Sequence, residues 1–314
     1  MFYLMIQFKG FSMKEVKDFE IGKDMRVKSL VEQMGESGGF TAKELATGVE
    51  ILSEVMQDRE CLKFLSFPAD IIATGTRGII RDLVRKKMFD VIITTSGTLD
   101  HDIARTYKKY YHGSFDMDDV ELYQKGINRL GNVLVPNESY GLIVEDKMQA
   151  FLKEIAQMKQ EISTHELVWE LGRRMEGDSI AYWAEKNRIP VIIPGITDGA
   201  VGYQIWQFSQ SNNFKLNVMK DESLLSDLVW NAKRSGALII GGGISKHHTI
   251  WWNQFKHGLD YAVYVSTAQE YDGSLSGAKP REAISWGKIN MKAKFVSISM
   301  DATVALPIMF AALL

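Results

Sequence analysis

The sequence predicts an α/β protein: a single domain built on a doubly wound, mostly parallel sheet with helices on both faces, and an N-terminal helical extension. Three observations carry this. Short apolar runs alternate with stretches of helical periodicity along most of the 314 residues, the pattern that strand, helix, strand units impose. Each apolar run ends in glycine, hydroxyl or carboxylate residues, which is where open parallel sheets present their ligand crevice. No internal repeat, low-complexity tract or linker divides the chain, so it reads as one domain.

Taken in order, Thr41-Ala-Lys-Glu44 has the form of a capping box, and Leu45, Val49, Leu52, Val55 and Met56 then recur at helical spacing. Everything before it, up to Gly39, reads as an appendage. A β-prone run at 62–67 passes through Pro68 and Gly75 into a helix whose face is Ile79, Ile80, Leu83 and Val84. Asp90-Val-Ile-Ile-Thr-Thr-Ser-Gly97 reads as a buried strand stopping at small polar residues, with Asp100 and Asp102 opening the next helix. Residues 106–139, rich in Tyr, Gly, Asp and Asn, lack sustained periodicity and read as an excursion from the sheet. The alternation resumes with a helix at 180–187, a strand at 190–194 and a helix at 221–234. Strands at 237–240, 261–265 and 295–298 follow, and an apolar helix containing Pro307 ends the chain.

With 37 Lys+Arg against 39 Asp+Glu the formal net charge is -2, and the basic stripe that nonspecific nucleic-acid binding requires is missing. The single cysteine, Cys61, excludes a disulfide framework or a Cys-rich zinc site and fits a reducing compartment. The apolar run at 1–7 is short and lacks the basic lead of a signal peptide. The apolar C-terminal stretch falls short of the roughly 18 residues a membrane helix needs. The expectation is a cytoplasmic protein with no metal, no membrane and no nucleic acid among its partners.

Several strand ends hold groups that can do chemistry. Gly241-Gly-Gly243, between a strand and a helix, offers backbone N–H groups and a helix N-terminus to a phosphate, although glycine serves equally well in a tight turn. Lys246 stands where the dinucleotide fingerprint wants Gly or Ala. Asp301, between a strand and a helix, reads as an acceptor for ribose hydroxyls or as an N-cap. Asp198, in Thr197-Asp-Gly199, reads as a ligand contact or a turn residue. His247 and His248 are an adjacent histidine pair, readable as core or surface residues or as a neutral imidazole able to take a proton from an ammonium. Pro280 suits the first turn of a helix that sets Glu282 and Trp286 at i and i+4 on one face, and Gly287 ends it just before Lys288. A partly desolvated lysine beside an indole has its charged form disfavoured and becomes an imine-forming nucleophile. The alternatives are a solvated lysine and a core tryptophan.

Six motifs in one order resemble the deoxyhypusine synthases, and their archaeal branch more than the eukaryotic. They are Asp90-Val-Ile-Ile-Thr-Thr-Ser-Gly97, Gly126-Ile-Asn-Arg-Leu-Gly-Asn-Val-Leu-Val-Pro-Asn137, Thr197-Asp-Gly199, Gly241-Gly-Gly-Ile-Ser-Lys-His-His248, the stretch 261–273, and Glu282-Ala-Ile-Ser-Trp-Gly-Lys288. The likeness runs from about Met25 to the C-terminus, which implies an NAD-binding catalytic domain at 25–314 behind an N-terminal extension at 1–24. It implies a homotetramer with NAD and active sites at the interfaces of paired subunits. The activity it implies is NAD-dependent transfer of the aminobutyl group of spermidine to one lysine of the translation initiation factor 5A precursor, through an enzyme-lysine imine. Position by position, the resemblance implies that Lys288 forms the imine and that His247 lies beside the amine. Glu282, Trp286, Asp100, Gly273 and Ser274 would bind the amine substrate, and Thr95, Ser96, Gly97, Asp198, Gly242, Thr267, Ala268 and Asp301 would contact NAD. This chain departs from the eukaryotic pattern in having Asp100 and His101 in place of adjacent glutamates, and Tyr203 and Leu275 in place of two further acids. The departures imply a less acidic pocket with room for another amine such as agmatine. Two rival readings are homospermidine synthase-like transfer to a small amine and a catalytically silent paralogue that binds a partner subunit. Retention of Lys288, Glu282 and Asp301 argues against silence.

Overall fold

A computed structural model describes residues 14–314; the apolar run at 1–7 and the first part of the expected extension lie outside them. Helices α1 (Val27–Glu36) and α2 (Phe40–Gln57) pack together ahead of the first strand. Strand β1 (Cys61–Ser66) leads to α3 (Thr76–Arg85), β2 (Val91–Ile93) and α4 (Gly97–Tyr107). A small antiparallel sheet follows, made of β3 (Tyr111–His112), β4 (Ile127–Leu130) and β5 (Val133–Pro136), with α5 (Asp119–Gln124) between its first two strands. The middle of the chain comprises α6 (Gly141–Met158), β6 (Glu161–Ile162), α7 (Thr164–Gly172), α8 (Ile180–Asn187), β7 (Val191–Ile192), α9 (Ala200–Ser209), β8 (Lys215–Leu216) and α10 (Met219–Asn231). It ends with β9 (Arg234–Ile240), α11 (Gly243–Asn253), β10 (Leu259–Val265), α12 (Pro280–Ser285), β11 (Ile289–Ile298) and α13 (Ala302–Leu313).

The main sheet has the order β11-β10-β9-β1-β2-β7, and every pairing in it is parallel. The chain begins in the middle at β1, builds outward through β2 to β7, then returns to the other side of β1 and builds outward again from β9. That reversal opens a crevice between the carboxyl ends of β1 and β9. Alternate strand residues face opposite sides. Leu65, Ile92, Leu238 and Val263 join one buried cluster with Leu45 and Leu52 of α2, Ile80 of α3 and Leu306 of α13. Phe64, Val91, Ile239 and Ala262 join another with Leu225 and Val229 of α10 and Ile250 of α11. Both faces are therefore covered by helices, which is why the strands read as continuous apolar runs.

Several local expectations change. Helix α2 starts at Phe40 with Gly39 as its N-cap and no side-chain cap, so Thr41 lies inside the first turn and its capping box does not form. A capping box does form at Ser163 and Glu166, ahead of α7. Part of the supposed appendage is α1, a helical N-terminal part whose Val31 is buried against the core. The excursion at 106–139 contains a real sheet. Gly131 and Asn132 form the two-residue turn between β4 and β5, with Gly131 at φ 59, the geometry short hairpins need.

Candidate active site

The crevice at the reversal is a cleft of about 150 Å³ lined by Pro68 and Asp70 beyond β1, Gly241 beyond β9, Ser266 and Thr267 beyond β10, and Asp301 and Thr303 beyond β11. Gly241 and Gly243 have left-handed backbones, at φ 65 and 66, and a Cβ at Gly243 would meet only open space. At Gly242 a Cβ would fall 2.2 Å from Ser276 Oγ and 2.4 Å from its Cα, so only glycine lets the loop 266–279 close onto the start of α11. Thr95 Oγ1 accepts from the Ala69 N–H at 3.1 Å, and a Cβ at Gly97 would lie 2.8 Å from that of Ala69, which ties the start of α4 to the segment after β1. Ser96 Oγ is buried with no hydrogen-bond partner among the described residues. A bare N-terminus at α11 and a carboxylate at the cleft rim suit a phosphate-bearing nucleotide such as NAD. Asp301 also caps α13, since its Oδ1 accepts from the Thr303 N–H at 2.9 Å. The N-cap reading of this residue is thus correct, and among the described residues its second oxygen takes no hydrogen bond.

The other expected groups gather along α11. Helix α12 has Pro280 in its first turn and ends at Trp286. Gly287, at φ 68, donates its N–H to Ile284 O and Lys288 donates its N–H to Ala283 O, the paired bonds that close a helix through a left-handed glycine. This closure sets the half-buried Lys288 with its Nζ 5.3 Å from the Trp286 ring centroid and 5.8 Å from that of Trp251. His247, one turn before Trp251 on α11, stacks on that indole at 5.7 Å and 25°. Burial and then the neighbouring Lys288 charge hold the His247 imidazole below its ordinary value, so it is neutral and able to accept a proton near pH 7. His248 lies instead 3.1 Å from the Glu222 carboxylate of α10.

Lys246 is 1% exposed. Its ammonium donates to Leu275 O and Ala278 O, both at 2.7 Å, and sits 4.4 Å from the Tyr264 ring centroid. Burial pulls its pKa down to about 8, with Glu282 acting the other way. The lysine that broke the dinucleotide fingerprint therefore pins the loop carrying Gly273 and Ser274.

Asp100 stands apart from the other residues expected to bind the amine. It is 1% exposed; its carboxylate accepts from the Ala200 N–H at 2.9 Å, the Val201 N–H at 2.8 Å and the Tyr140 hydroxyl at 2.8 Å. Burial pushes this carboxyl above its ordinary range, against the pull of those donors, and the nearby Asp198 charge adds to the rise. Its observed work is to hold the start of α9. The neighbouring His101 is bonded to the Tyr110 hydroxyl at 2.9 Å, and burial lowers its pKa to about 4, which corrects any picture of a cation there at neutral pH. Lys288 precedes β11 while Asp301 follows it, and the adjoining paired strand β10 is roughly 20 Å long at about 3.3 Å per residue. The single chain therefore keeps the lysine and the nucleotide cleft at different ends of the sheet. Trp251 was missed in the sequence, although its i+4 spacing from His247 on a readable helix was a signal.

The family model for deoxyhypusine synthase matches residues 29–313. A relative from Picrophilus torridus, named as a probable deoxyhypusine synthase, is 58% identical over 298 residues, covering 94% of this chain and 96% of that protein. One from Thermoplasma acidophilum with the same name is 55% identical, covering 95% and 96%. A crystal structure of a candidate deoxyhypusine synthase from Entamoeba histolytica superposes with a TM-score of 0.64 at 20% identity, covering 95% of this chain and 96% of the other, which shows the shared fold. With its fold, its motifs and near-full-length relatives in agreement, the chain belongs to the deoxyhypusine synthase family of enzymes.

Proposed function

We propose that this enzyme moves the aminobutyl group of spermidine, or of a related amine, onto a lysine of the translation initiation factor 5A precursor, with Lys288 as the covalent carrier. The observation that supports this is the meeting of Lys288 with His247, Trp286 and Trp251 along α11. The 241–243 turn, Ser96, Asp198, Thr267 and Asp301 would hold NAD, which when bound would take a hydride from the amine carbon and return it to the imine formed on the acceptor lysine. Lys288 attacks the oxidised amine carbon and forms a C=N bond as the C–N bond to the leaving diamine breaks. The acceptor lysine then displaces Lys288 at the same carbon. His247, neutral at physiological pH, takes the proton that frees an amine lone pair. Glu282, exposed on α12, pairs with a substrate ammonium, while the Trp286 indole covers its methylenes.

Paired subunits belong to this reading, because they bring the Lys288 flank of one chain to the nucleotide cleft of another; a homotetramer contains two such pairs. A cytoplasmic setting fits a reduced thiol, and burial pushes Cys61 up to about 12, which makes it inert. Mass spectrometry of the factor 5A precursor after incubation with enzyme, NAD and spermidine tests the reading. An aminobutyl adduct on one acceptor lysine is expected. An unmodified precursor together with amine product when putrescine is supplied would replace the protein acceptor with a small one.

A further inference from the structure

We propose that Trp251 contacts the substrate: its indole and that of Trp286 form a two-walled clamp that holds the aliphatic chain and protonated nitrogen of the donor amine against Lys288. This rests on the amine-transfer reading above and deepens it.

The argument starts from what surrounds the Lys288 ammonium. It faces two indoles, at 5.3 and 5.8 Å from their centroids, and among the described residues it has no carbonyl or carboxylate partner. The two rings come from different elements, α11 and the end of α12, so the gap between them is set by packing and not by one flexible loop. Both are open to solvent, Trp286 at 67% and Trp251 at 40%, although a core tryptophan would be covered. An indole face attracts a cation and also packs on methylenes without demanding a paired charge. A diamine or triamine is an alternation of those two features. The same Trp251 ring carries His247 on its face at 25°, so the clamp places the proton acceptor, the nucleophile and the amine chain around one side chain. Among the described residues Phe255, a turn further along, meets Trp251 edge-on at 5.7 Å and 90°, which fixes the indole from the side away from His247.

The test uses the full-length enzyme with NAD, measuring spermidine binding by calorimetry and donor KM in the transfer assay for the wild type, Trp251→Leu and Trp251→Phe. Leucine keeps apolar bulk and removes the π face; phenylalanine restores a face. Trp251→Leu is expected to weaken spermidine binding and raise donor KM about tenfold, to leave NAD affinity unchanged, and to move the acid limb of kcat upward as His247 loses its cover. Trp251→Phe is expected to recover most of both changes, which a merely structural role would not reproduce in the pH profile. Unchanged spermidine affinity in a folded Trp251→Leu, judged by its melting curve, overturns the clamp even if transfer proceeds. Calorimetry with no amine binding by the wild type overturns the amine-transfer reading itself and the clamp with it.

Discussion

Two lysines on neighbouring elements face aromatic rings and are held in opposite ways. Lys246 is enclosed, with two carbonyl acceptors at 2.7 Å and the Tyr264 face above it. Lys288 is held between indoles at the molecular surface with its amine uncommitted. A buried ammonium with its donors satisfied is a fastening, because releasing it would strand both the charge and the carbonyls. An amine that meets only π faces can form a new bond without leaving a buried hydrogen-bonding group unpaired. Neighbouring sequence, Ser245-Lys-His-His248 against Trp286-Gly-Lys288, does not distinguish the two settings; their partners do.

The largest effect that sharpens this contrast is expected from Lys288→Arg. Arginine keeps the charge but cannot supply a neutral amine, so transfer should fall at least about a thousandfold, about 4 kcal/mol, with the melting temperature unchanged. Borohydride should trap the wild-type adduct on Lys288; an adduct mapped to Lys246 would break the comparison. A second test concerns a group buried in α4. His101 is held near 4 when folded and titrates near 6.5 when unfolded. Only the unfolded chain takes the proton between those values, so its contribution is complete above pH 6.5 and is lost as pH falls towards 4, about 3 kcal/mol in all. Denaturant melts at pH 7 and 4.5 should show this loss in the wild type and a flatter response in His101→Gln; parallel slopes would disprove it.

Lys246→Met should cost about 2 kcal/mol by orphaning two carbonyls and should speed amide exchange across residues 266–279, while leaving exchange in α2 unaltered. Protection retained in that loop would mean that Lys246 is not its fastening. The smallest effect is electrostatic. Removing the Lys288 charge in Lys288→Met should raise the His247 pKa by a fraction of a unit, followed by NMR titration; a fall would place the lysine farther away than the geometry does.

Legibility in the sequence followed the range of the interaction. Pro280 and Gly287 punctuate a six-residue helix locally, and the placement of Lys288 just past its end follows from them. The strands buried on both faces were readable because they are unbroken apolar runs. The small sheet at 111–136 was not, because its strands are two to four residues long and no period establishes itself over that length. Helix α1 offered only Val31 as a fully buried residue. The start of β11 was hidden by Asn290-Met-Lys-Ala-Lys294, a polar edge segment beside a register shift, and so the distance from Lys288 to Asp301 was hidden too. Asp100 looked available because its acceptors' partners, Ala200 and Val201, lie about a hundred residues away.

The position of β1 also sets a schedule. Its neighbour on one side, β2, follows soon after it in the chain, but its other neighbour, β9, pairs Arg234 with Cys61. At about 5–20 residues per second of synthesis, the ribosome needs roughly 9–35 seconds to deliver that partner. During this interval the middle strand of the finished sheet is an edge, with Phe64 and Leu65 lacking the cover they have at completion. The nascent chain therefore carries a sticky half-sheet for longer than most folding steps last, and its yield in the cell should depend on what shields that edge until the second half arrives.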